Sequence, residues 1–505
     1  MFETLPDTYI PLLPEVAAFL ADPLLPYIDG RYTPPRAEQT FESLDPSTGR
    51  RLAQIGRAQP ADADVAVAAA RKAFDSGDWW LKMSPSDRSK CIWRLAELIE
   101  QHTPILAQLD SLDNGKPLET TRTVDIPLAA EHLYYYAGWC TKIEGSTIPV
   151  NEPEMFNYTL REPVGVVGLI SPWNYPLLMA TWKFAPALAA GNCVIVKPAE
   201  QTPLSALYVA KLTEEAGFPP GVFNVLPGYG EEAGAALVEH HGVDKIGFTG
   251  SVATARKIVQ GSVGNLKRVS LELGGKSPNI VFADADLEQA AVGSTWAIFG
   301  NNGQSCTAGS RLYIQRPVFE QVLAGMRAET QNIMVGPGMG RQQPNLGPVI
   351  SDEQLQRVLG YIEDGFAQGA QAITGGGRLS GALADGYFIE PTIFTNVRDD
   401  LRISREEIFG PVVCAMPFDD VSEIISRAND TSFGLAAGLW TTDLRKAHKL
   451  AKSLRAGTIW INTWGDTEAA SPFGGYKQSG YGREMGKEAI DLYTEVKSVW
   501  VNTEE

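Results

Sequence analysis

Nearly all-apolar runs alternate with stretches of helical periodicity along the middle of the chain. Runs at 164–170, 194–196 and 245–248 have the composition of parallel strands that are buried on both faces. The segments 204–216 and 251–259 repeat their apolar residues at helical spacing. This alternation predicts a doubly wound parallel sheet, an α/β architecture that binds nucleotides at the carboxyl ends of its strands.

Two amphipathic helices are predicted in the first part of the chain. One begins at Pro60, where Asp62 and Asp64 are the expected N-cap residues. The other covers 91–99 and includes Cys91, which we interpret as a small core residue.

A second α/β region is predicted over 277–462, with strands at 279–282, 312–314 and 412–415. The tail at 494–501 has the pattern of a strand with apolar residues on both faces. Such a strand needs a partner edge, and a neighbouring subunit is one source of it.

Composition and charge exclude several functions. The 505 residues are 44% hydrophobic and 20% charged, as expected for a globular protein with more than one large lobe. The net charge of −17 disfavours binding to nucleic acid or to an anionic membrane. The N-terminus lacks the pattern of a signal or transit peptide and no apolar run is long enough to span a bilayer, so we expect a cytoplasmic protein. The five cysteines form no CxxC pair and the five histidines form no HExxH motif, so no metal site is expected.

The first candidate for chemistry is Cys306, at the end of the segment Phe-Gly-Asn-Asn-Gly-Gln-Ser-Cys. The alternative for any cysteine is an inert buried thiol. Cys140, Cys193 and Cys414 fit that alternative because they follow an aromatic helix or lie in apolar strands. The neighbours of Cys306 form loops rather than cores, which indicates a sulfur that a ligand can reach.

Two further polar residues follow apolar strands. Glu272 lies between two leucines and before Gly-Gly, and burial there would raise its pKa into the range of a general base. A solvated glutamate at a strand end is an equally good interpretation. Asn174, in Ser-Pro-Trp-Asn-Tyr-Pro, has an amide suited to an oxyanion, although asparagine is also common in turns beside proline.

The cofactor signals are individually weaker. Gly228 opens a GxGxxxG segment whose spacing departs from the dinucleotide fingerprint, but it stays a candidate for cofactor contact. Gly250 and Ser251 precede a helix, whose N-terminus favours phosphate. Lys197 and Glu200 follow a buried strand. An acid at that place would repel a 2′-phosphate, so NAD is favoured over NADP.

Seven segments together resemble the aldehyde dehydrogenase superfamily: PWNYP, KPAEQTPLSALYVA, FTGS, LELGGKSPN, NGQSCTAGSR, EEIFGPV and SPFGGYKQSG. They occur in family order over nearly the whole chain, which is most similar to the broad-specificity NAD-dependent class, including betaine-, amino-aldehyde and phenylacetaldehyde dehydrogenases. The resemblance implies two doubly wound α/β lobes, a Rossmann-like NAD-binding lobe and a catalytic lobe, with a small β oligomerisation element. The implied bounds are 1–142 and 164–274 for the first lobe, 275–477 for the second, and 143–163 with 478–505 for the element. A homo-oligomer, either dimer or tetramer, is implied.

The resemblance also implies roles. Cys306 is the nucleophile, Glu272 the general base, Asn174 an oxyanion donor together with the N–H of Cys306, and Glu484 a second acid that relays protons. An aldehyde would become a thiohemiacetal, then a thioester, then a carboxylic acid. The implied cofactor residues are Trp173, Lys197, Glu200, Gly250, Ser251, Glu407 and Phe409.

The implied substrate tunnel is lined by Tyr175, Met179, Trp182, Trp296, Gly300, Thr467 and Phe473. Its aromatic residues suit an aryl or arylalkyl aldehyde, and plain core packing is the alternative. Tyr175 with Trp182 also suits a betaine- or amino-aldehyde, but those relatives usually carry a large aromatic residue where this chain has Gly300. Medium-chain aliphatic aldehydes are a third candidate substrate class. Three other functions are disfavoured. A coenzyme A-acylating enzyme usually lacks the general base, which is present here as Glu272, and an NADP-linked enzyme conflicts with Glu200. A non-catalytic structural relative would tolerate loss of the site residues, but all of them are intact.

Overall fold

A computed structural model describes residues 6–504. Its strands are β1 (Tyr27–Ile28), β2 (Arg31–Tyr32), β3 (Thr40–Leu44), β4 (Arg51–Gly56), β5 (Thr147–Ile148), β6 (Met155–Pro163), β7 (Val166–Ile170), β8 (Cys193–Lys197), β9 (Phe223–Val225), β10 (Lys245–Gly250), β11 (Arg268–Leu273), β12 (Pro278–Val281), β13 (Arg311–Gln315), β14 (Gln371–Thr374), β15 (Thr392–Thr395), β16 (Val412–Phe418), β17 (Ala436–Trp440), β18 (Thr458–Ile461), β19 (Gly480–Tyr481) and β20 (Thr494–Asn502).

The α-helices are α1 (Pro14–Ala21), α2 (Pro60–Asp75), α3 (Pro85–Gln101), α4 (Thr103–Asn114), α5 (Leu118–Thr120), α6 (Ile126–Ala137), α7 (Pro176–Ala189), α8 (Leu204–Glu215), α9 (Ala235–Glu239), α10 (Val252–Gly261), α11 (Leu287–Phe299), α12 (Phe319–Thr330), α13 (Asp352–Ala367), α14 (Arg402–Arg405), α15 (Val421–Asn429), α16 (Leu444–Ser453) and α17 (Glu488–Leu492). Short 3₁₀ and π turns extend or join several of them, among them a π turn at Thr121–Asp125 and a 3₁₀ turn at Gly300–Gly303.

The first sheet has the strand order β19-β11-β10-β7-β8-β9-β1-β2. The five central strands β11 to β9 are parallel, while β19, β1 and β2 add antiparallel edges. The chain proceeds from β7 to β8 on one side and returns to β10 on the other. This reversal beside β7 confirms the predicted doubly wound lobe and creates a crevice at the carboxyl ends of the strands.

The second sheet has the order β14-β15-β16-β13-β12-β17-β18. All neighbouring pairs are parallel except β14 with β15. Separate apolar clusters pack on its two faces, which confirms a second α/β lobe with helices on both sides.

A three-stranded sheet of order β20-β6-β5 lies apart from the two lobes. The predicted terminal strand is confirmed as β20, which pairs along all nine residues with β6 of the same chain. One partner edge therefore comes from within the chain, and β20 forms an outer edge of this sheet. A β3–β4 hairpin completes the strands of the described part.

Two local predictions were wrong. The residue that caps α2 is Gln59, while Asp62 occupies the third helical position and accepts a hydrogen bond from the Gln59 N–H at 2.9 Å. Pro60 fixes the first helical residue, so the cap must be the residue before it; Asp64 instead approaches His240 at 3.4 Å. Cys91 is half-buried at the margin of the core, with its sulfur 3.7 Å from the carbonyl oxygen of Gly217. Within residues 6–504, none of the helices has the length and apolarity that a bilayer crossing requires.

Candidate active site

A cleft of about 710 Å³ lies where β7, β10 and β11 end and the second lobe faces them. Besides Cys306, seven of its lining residues are predicted site residues: Trp173, Asn174, Met179, Gly250, Ser251, Glu407 and Phe409. Cys306 also lines this cleft. The structure therefore brings residues from both lobes together at the crevice that the strand order creates.

The loop that carries Cys306 has an unusual backbone. Asn301 and Asn302 follow α11 with φ of 50° and 57°, a left-handed conformation that asparagine tolerates better than most residues. The amide of Asn301 donates to the carbonyl oxygens of Asn174 at 3.0 Å and Gln304 at 3.1 Å, and that of Asn302 donates to Gly347 at 3.0 Å. These bonds hold the loop in the position that exposes the sulfur.

Asn174 is tied to the same loop. Its side-chain Nδ2 donates to the carbonyl oxygen of Gln304 at 2.8 Å, and the side chain is buried. An amide nitrogen has two N–H groups, so one is used by the loop and the second is left for a ligand beside Cys306. The geometry suits an oxyanion donor whose position is fixed in advance.

The surroundings of Cys306 favour the thiol over the thiolate form of its side chain. Burial, and then the negative charges of Glu407 and Glu272, raise its pKa to about 12. Because the thiolate is the nucleophilic form, the arrangement requires either a base or a bound positive charge before the sulfur can attack.

Glu272 lies at the end of β11 and is buried. Neither carboxylate oxygen has a hydrogen-bond partner among residues 6–504. Burial, and then the charge of Glu484, raises its pKa well above the ordinary value, while Lys183 acts in the opposite direction. The carboxyl faces Gly474, where an added Cβ would lie 2.7 Å from Oε1. It therefore has the properties of a general base, although it does not line the cleft itself.

Behind Glu272 lies a buried ion pair between Glu484 and Lys183. The Nζ of Lys183 also donates to Thr249 Oγ1 at 2.6 Å, and Thr249 lines the cleft. Lys183 was missed by the sequence reasoning, but a lysine within the apolar helix α7 is a signal that could have identified it, because such a charge requires a partner.

The predicted ribose and nicotinamide residues fall into two groups. The side chain of Glu407 accepts from the N–H of Gly275 at 3.0 Å, and burial raises its pKa to about 7. Phe409, with φ of 61°, meets Trp173 edge-on with ring centroids 5.2 Å apart. Arg357 donates to the carbonyl oxygen of Glu407 at 2.8 Å; this cleft residue lies far along the chain and was not predicted.

The second group lies outside the lining of the cleft. Lys197, at the end of β8, donates to the carbonyl oxygen of Pro198 at 2.9 Å and approaches Glu200 at 3.3 Å. Burial lowers the pKa of Lys197, and Glu200 opposes this. A Cβ at Gly228 would lie 2.6 Å from the carbonyl oxygen of Ala58, so packing between backbones is sufficient to explain that glycine.

Ser251 has a local role that the sequence also predicts. Its side chain accepts from the N–H of Thr254 at 3.1 Å and caps the ten-residue helix α10. Gly250 precedes it at the end of β10. The start of α10 therefore faces the cleft with free backbone N–H groups, which suit an anion.

A second cavity of about 900 Å³ lies on the other side of Cys306, and we call it the tunnel. All seven predicted tunnel residues line it: Tyr175, Met179, Trp182, Trp296, Gly300, Thr467 and Phe473. The residues that sequence reasoning missed are Val124, Asp125, Leu128, Leu178, Ala297, Ser305, Thr307, Trp464 and Gly465. Cys306 lines both the tunnel and the cleft.

Aromatic contacts fix the tunnel wall. The ring of Trp182 packs between His132, at 5.7 Å and nearly parallel, and Phe473, at 5.2 Å and edge-on. Burial lowers the pKa of His132 to about 4, so its ring is neutral near pH 7. The Nζ of Lys116 lies 3.4 Å from the centroid of the Tyr175 ring and 2.5 Å from Asp125 Oδ2.

Comparisons with known proteins identify the family to which this two-lobed α/β protein belongs. Residues 32–499 match the aldehyde dehydrogenase family. The mitochondrial aldehyde dehydrogenase of Rattus norvegicus is 47% identical over 477 residues, which is 94% of this chain and 91% of the relative. An aldehyde dehydrogenase of Bacillus cereus, solved as an NAD⁺ complex, is 51% identical with a TM-score of 0.96 and coverage of 98% and 100%.

An indole-3-acetaldehyde dehydrogenase from P. syringae, solved as a mutant in complex with NAD⁺ and IAA, is 43% identical with a TM-score of 0.93, and the match covers 95% of this chain and 96% of that one. The chain belongs to the aldehyde dehydrogenase family. It is accordingly an oxidoreductase that uses NAD to oxidise an aldehyde.

The residues of the cleft fit NAD. The helix start at Ser251 offers backbone N–H groups to a pyrophosphate. Outside the lining of the cleft, the buried ammonium of Lys197 lies 3.3 Å from the carboxylate of Glu200. A side chain at Gly274 would collide with the Glu407 carboxylate, so this glycine keeps the floor of the cleft open.

Proposed function

We propose that the chain oxidises its aldehyde through a covalent intermediate on Cys306. The observation that carries this proposal is that Cys306 lines both cavities. A sulfur at that junction can hold a substrate from the tunnel while the carbon that reacts faces the cleft. Among residues 6–504, the other cysteines, Cys91, Cys140, Cys193 and Cys414, line neither the cleft nor the tunnel.

The side chains around the sulfur support a division of roles. Once the Cys306 thiol has lost its proton to water, attack of the thiolate on the aldehyde carbon gives a thiohemiacetal oxyanion, to which Asn174 donates its second N–H. NAD⁺, when bound in the cleft, supplies the two-electron oxidant for conversion of the thiohemiacetal to a thioester. Glu272 then takes a proton from water as the thioester is hydrolysed. Glu484, which is ion-paired with Lys183 directly behind Glu272, receives that proton.

For the substrate we propose an arylalkyl aldehyde. The tunnel wall is rich in aromatic rings, among them Trp182, Trp296 and Phe473, and rings stack on rings with favourable edge or offset contacts. The P. syringae relative is named for indole-3-acetaldehyde, which is an aldehyde of this class.

A betaine- or amino-aldehyde is the second candidate, and one observation disfavours it. The ring of Tyr175 already carries a cation, because the Nζ of Lys116 lies 3.4 Å from its centroid. A second cation on that ring would be repelled. Medium-chain aliphatic aldehydes would fit the tunnel without using its rings.

We propose a homo-oligomer that works in the cytoplasm and assembles through the β5–β6–β20 sheet. Large apolar side chains are exposed on that sheet, including Phe156, Leu160, Val496 and Trp500. An exposed apolar patch beside an unpaired edge strand is typical of an interface. The division into NAD-binding, catalytic and oligomerisation parts at the bounds given above belongs to the same proposal.

The test of the covalent step is a Cys306→Ala variant. We expect no NADH from any aldehyde with this variant, whereas a matched Cys91→Ala variant keeps the wild-type rate. Mass spectrometry of wild-type protein, quenched during turnover of phenylacetaldehyde, should find the acyl group on Cys306. Turnover by Cys306→Ala, or an acyl group on another residue, would refute the proposal. Kinetics with phenylacetaldehyde, betaine aldehyde and hexanal test the substrate class.

A further inference from the structure

A third cavity of about 660 Å³ lies beside the tunnel, and we call it the side cavity. Its wall contains Asn114, Lys116, Asn301 and Asn302, and it reaches the surface near the exposed Asn345. The side cavity and the tunnel have four lining residues in common, which are Val124, Asp125, Tyr175 and Gly300. These residues form the partition between the two spaces.

Two of the four residues, Asp125 and Tyr175, close the partition. Lys116 fixes Asp125 through a buried ion pair of 2.5 Å and fixes the Tyr175 ring through the cation–π contact. Both charged side chains are almost fully buried, at 2% and 1% exposure, so separating them would be costly. Val124 is exposed and belongs to the outer rim. The remaining position is Gly300.

Gly300 does not need to be a glycine for conformational reasons. It follows α11 with φ of −50° and ψ of 134°, which any residue adopts. It does not need to be a glycine for packing either. A Cβ built on it would meet no atom within 4 Å, its chain neighbours left aside, in the part of the protein that the structure describes. The missing side chain therefore leaves free space in the wall that the tunnel and the side cavity share.

We propose that Gly300 makes the aldehyde site branched, so that the side cavity receives the bulky end of a large aldehyde such as a bicyclic arylalkyl aldehyde. The inference rests on the proposed function and specifies its substrate class. The amides of Asn301 and Asn302 are already bonded to backbone carbonyls, so they form a fixed polar part of the wall of the side cavity. A residue with a large side chain at position 300 would close the branch without straining the backbone.

The experiment compares the wild type with Gly300→Phe and a matched control, Gly360→Phe. Gly360 lies on α13, is exposed, and also has open space around a built Cβ, but it lines neither the cleft, the tunnel nor the side cavity. The ratio of kcat/KM for 2-naphthylacetaldehyde to kcat/KM for propanal should fall about ten-fold or more in Gly300→Phe. The same ratio should be unchanged in Gly360→Phe.

A binding measurement separates this inference from the proposed function. The carboxylate 2-naphthylacetate, which cannot be oxidised, should quench tryptophan fluorescence because Trp296 and Trp464 line the tunnel. Its Kd should rise about ten-fold or more in Gly300→Phe and stay constant in Gly360→Phe. An unchanged specificity ratio and Kd in Gly300→Phe would overturn the inference, as would a wild type that does not bind the compound. Absence of NADH formation from every aldehyde would instead overturn the proposed function.

Discussion

Replacement of Asn174 by alanine isolates the contribution of the oxyanion donor. The Nδ2 atom makes one hydrogen bond, to the carbonyl oxygen of Gln304 at 2.8 Å, and its second N–H is available to the substrate oxyanion. Loss of one such donor costs about 2.7–4 kcal/mol of transition-state stabilisation, or roughly 10²–10³ in kcat. Loss of the bond to Gln304 costs about 1 kcal/mol of folding free energy.

These two losses can be measured separately. Initial rates of NADH formation with saturating aldehyde give kcat, and urea unfolding gives the free energy of unfolding. The control is Asn429→Ala, because Asn429 donates to the carbonyl oxygen of Ser453 at 2.9 Å and accepts from the N–H of Arg455 at 2.8 Å, far from the site. The control should lose stability and keep its kcat.

The reasoning would be refuted by Asn174→Ala with a kcat within about three-fold of wild type, since an oxyanion donor is worth far more than that. A fall in kcat that is matched by Asn429→Ala would also refute it, because the effect would then come from general destabilisation. Asn174→Asp gives a further check, since it keeps the shape and removes the donor.

Three further predictions concern carboxylates. Glu272→Gln should give a burst of NADH followed by a rate lower by about 10²–10⁴, because the thioester forms but water is not activated; a full steady-state rate in stopped-flow traces would contradict this. In the wild type, Glu272 has a raised pKa. Its carboxyl therefore stays protonated in the folded protein at pH values at which it has already lost its proton in the unfolded chain. Stability therefore falls as pH rises above the ordinary value of 4.5, and the melting temperature of Glu272→Gln relative to wild type should rise over that range. Glu200→Gln should raise kcat/KM for NADP relative to NAD by about ten-fold, because Glu200 no longer repels a 2′-phosphate; an unchanged ratio in steady-state kinetics would place the cofactor discrimination elsewhere.

The parallel strands could be predicted because a strand that is buried on both faces consists almost entirely of apolar residues. The runs that became β7, β8 and β10 are almost free of polar residues. The strand order could not be derived from these runs, since it depends on which helices cross which face of the sheet. The start of α2 was misplaced at its cap because two aspartates near a helix start look like caps, whereas the proline decides the register.

The site was predictable where one short segment carries the chemistry. Cys306 and Asn174 each lie in a distinctive loop, and the structure brings them together in the cleft. Lys183 and Arg357 were not predicted, because each belongs to a helix and reaches the site only through tertiary packing. The partition between the tunnel and the side cavity depends on Lys116, whose partner Asp125 is nine residues away across a π turn. Spacing alone does not reveal such a pair.

The short strand β19 has a consequence for the order of folding. It pairs with β11, placing Gly480 opposite Glu272, so the floor of the site is completed by a segment that a ribosome delivers about two hundred residues later. Until that segment arrives, the growing chain has an open sheet edge next to a carboxyl group that water can reach. Contacts between such distant segments form slowly, and open edges invite pairing with other chains. The nascent polypeptide is therefore most exposed to aggregation during synthesis of the second lobe, and the strand beside Glu272 receives its edge partner only when translation is nearly finished.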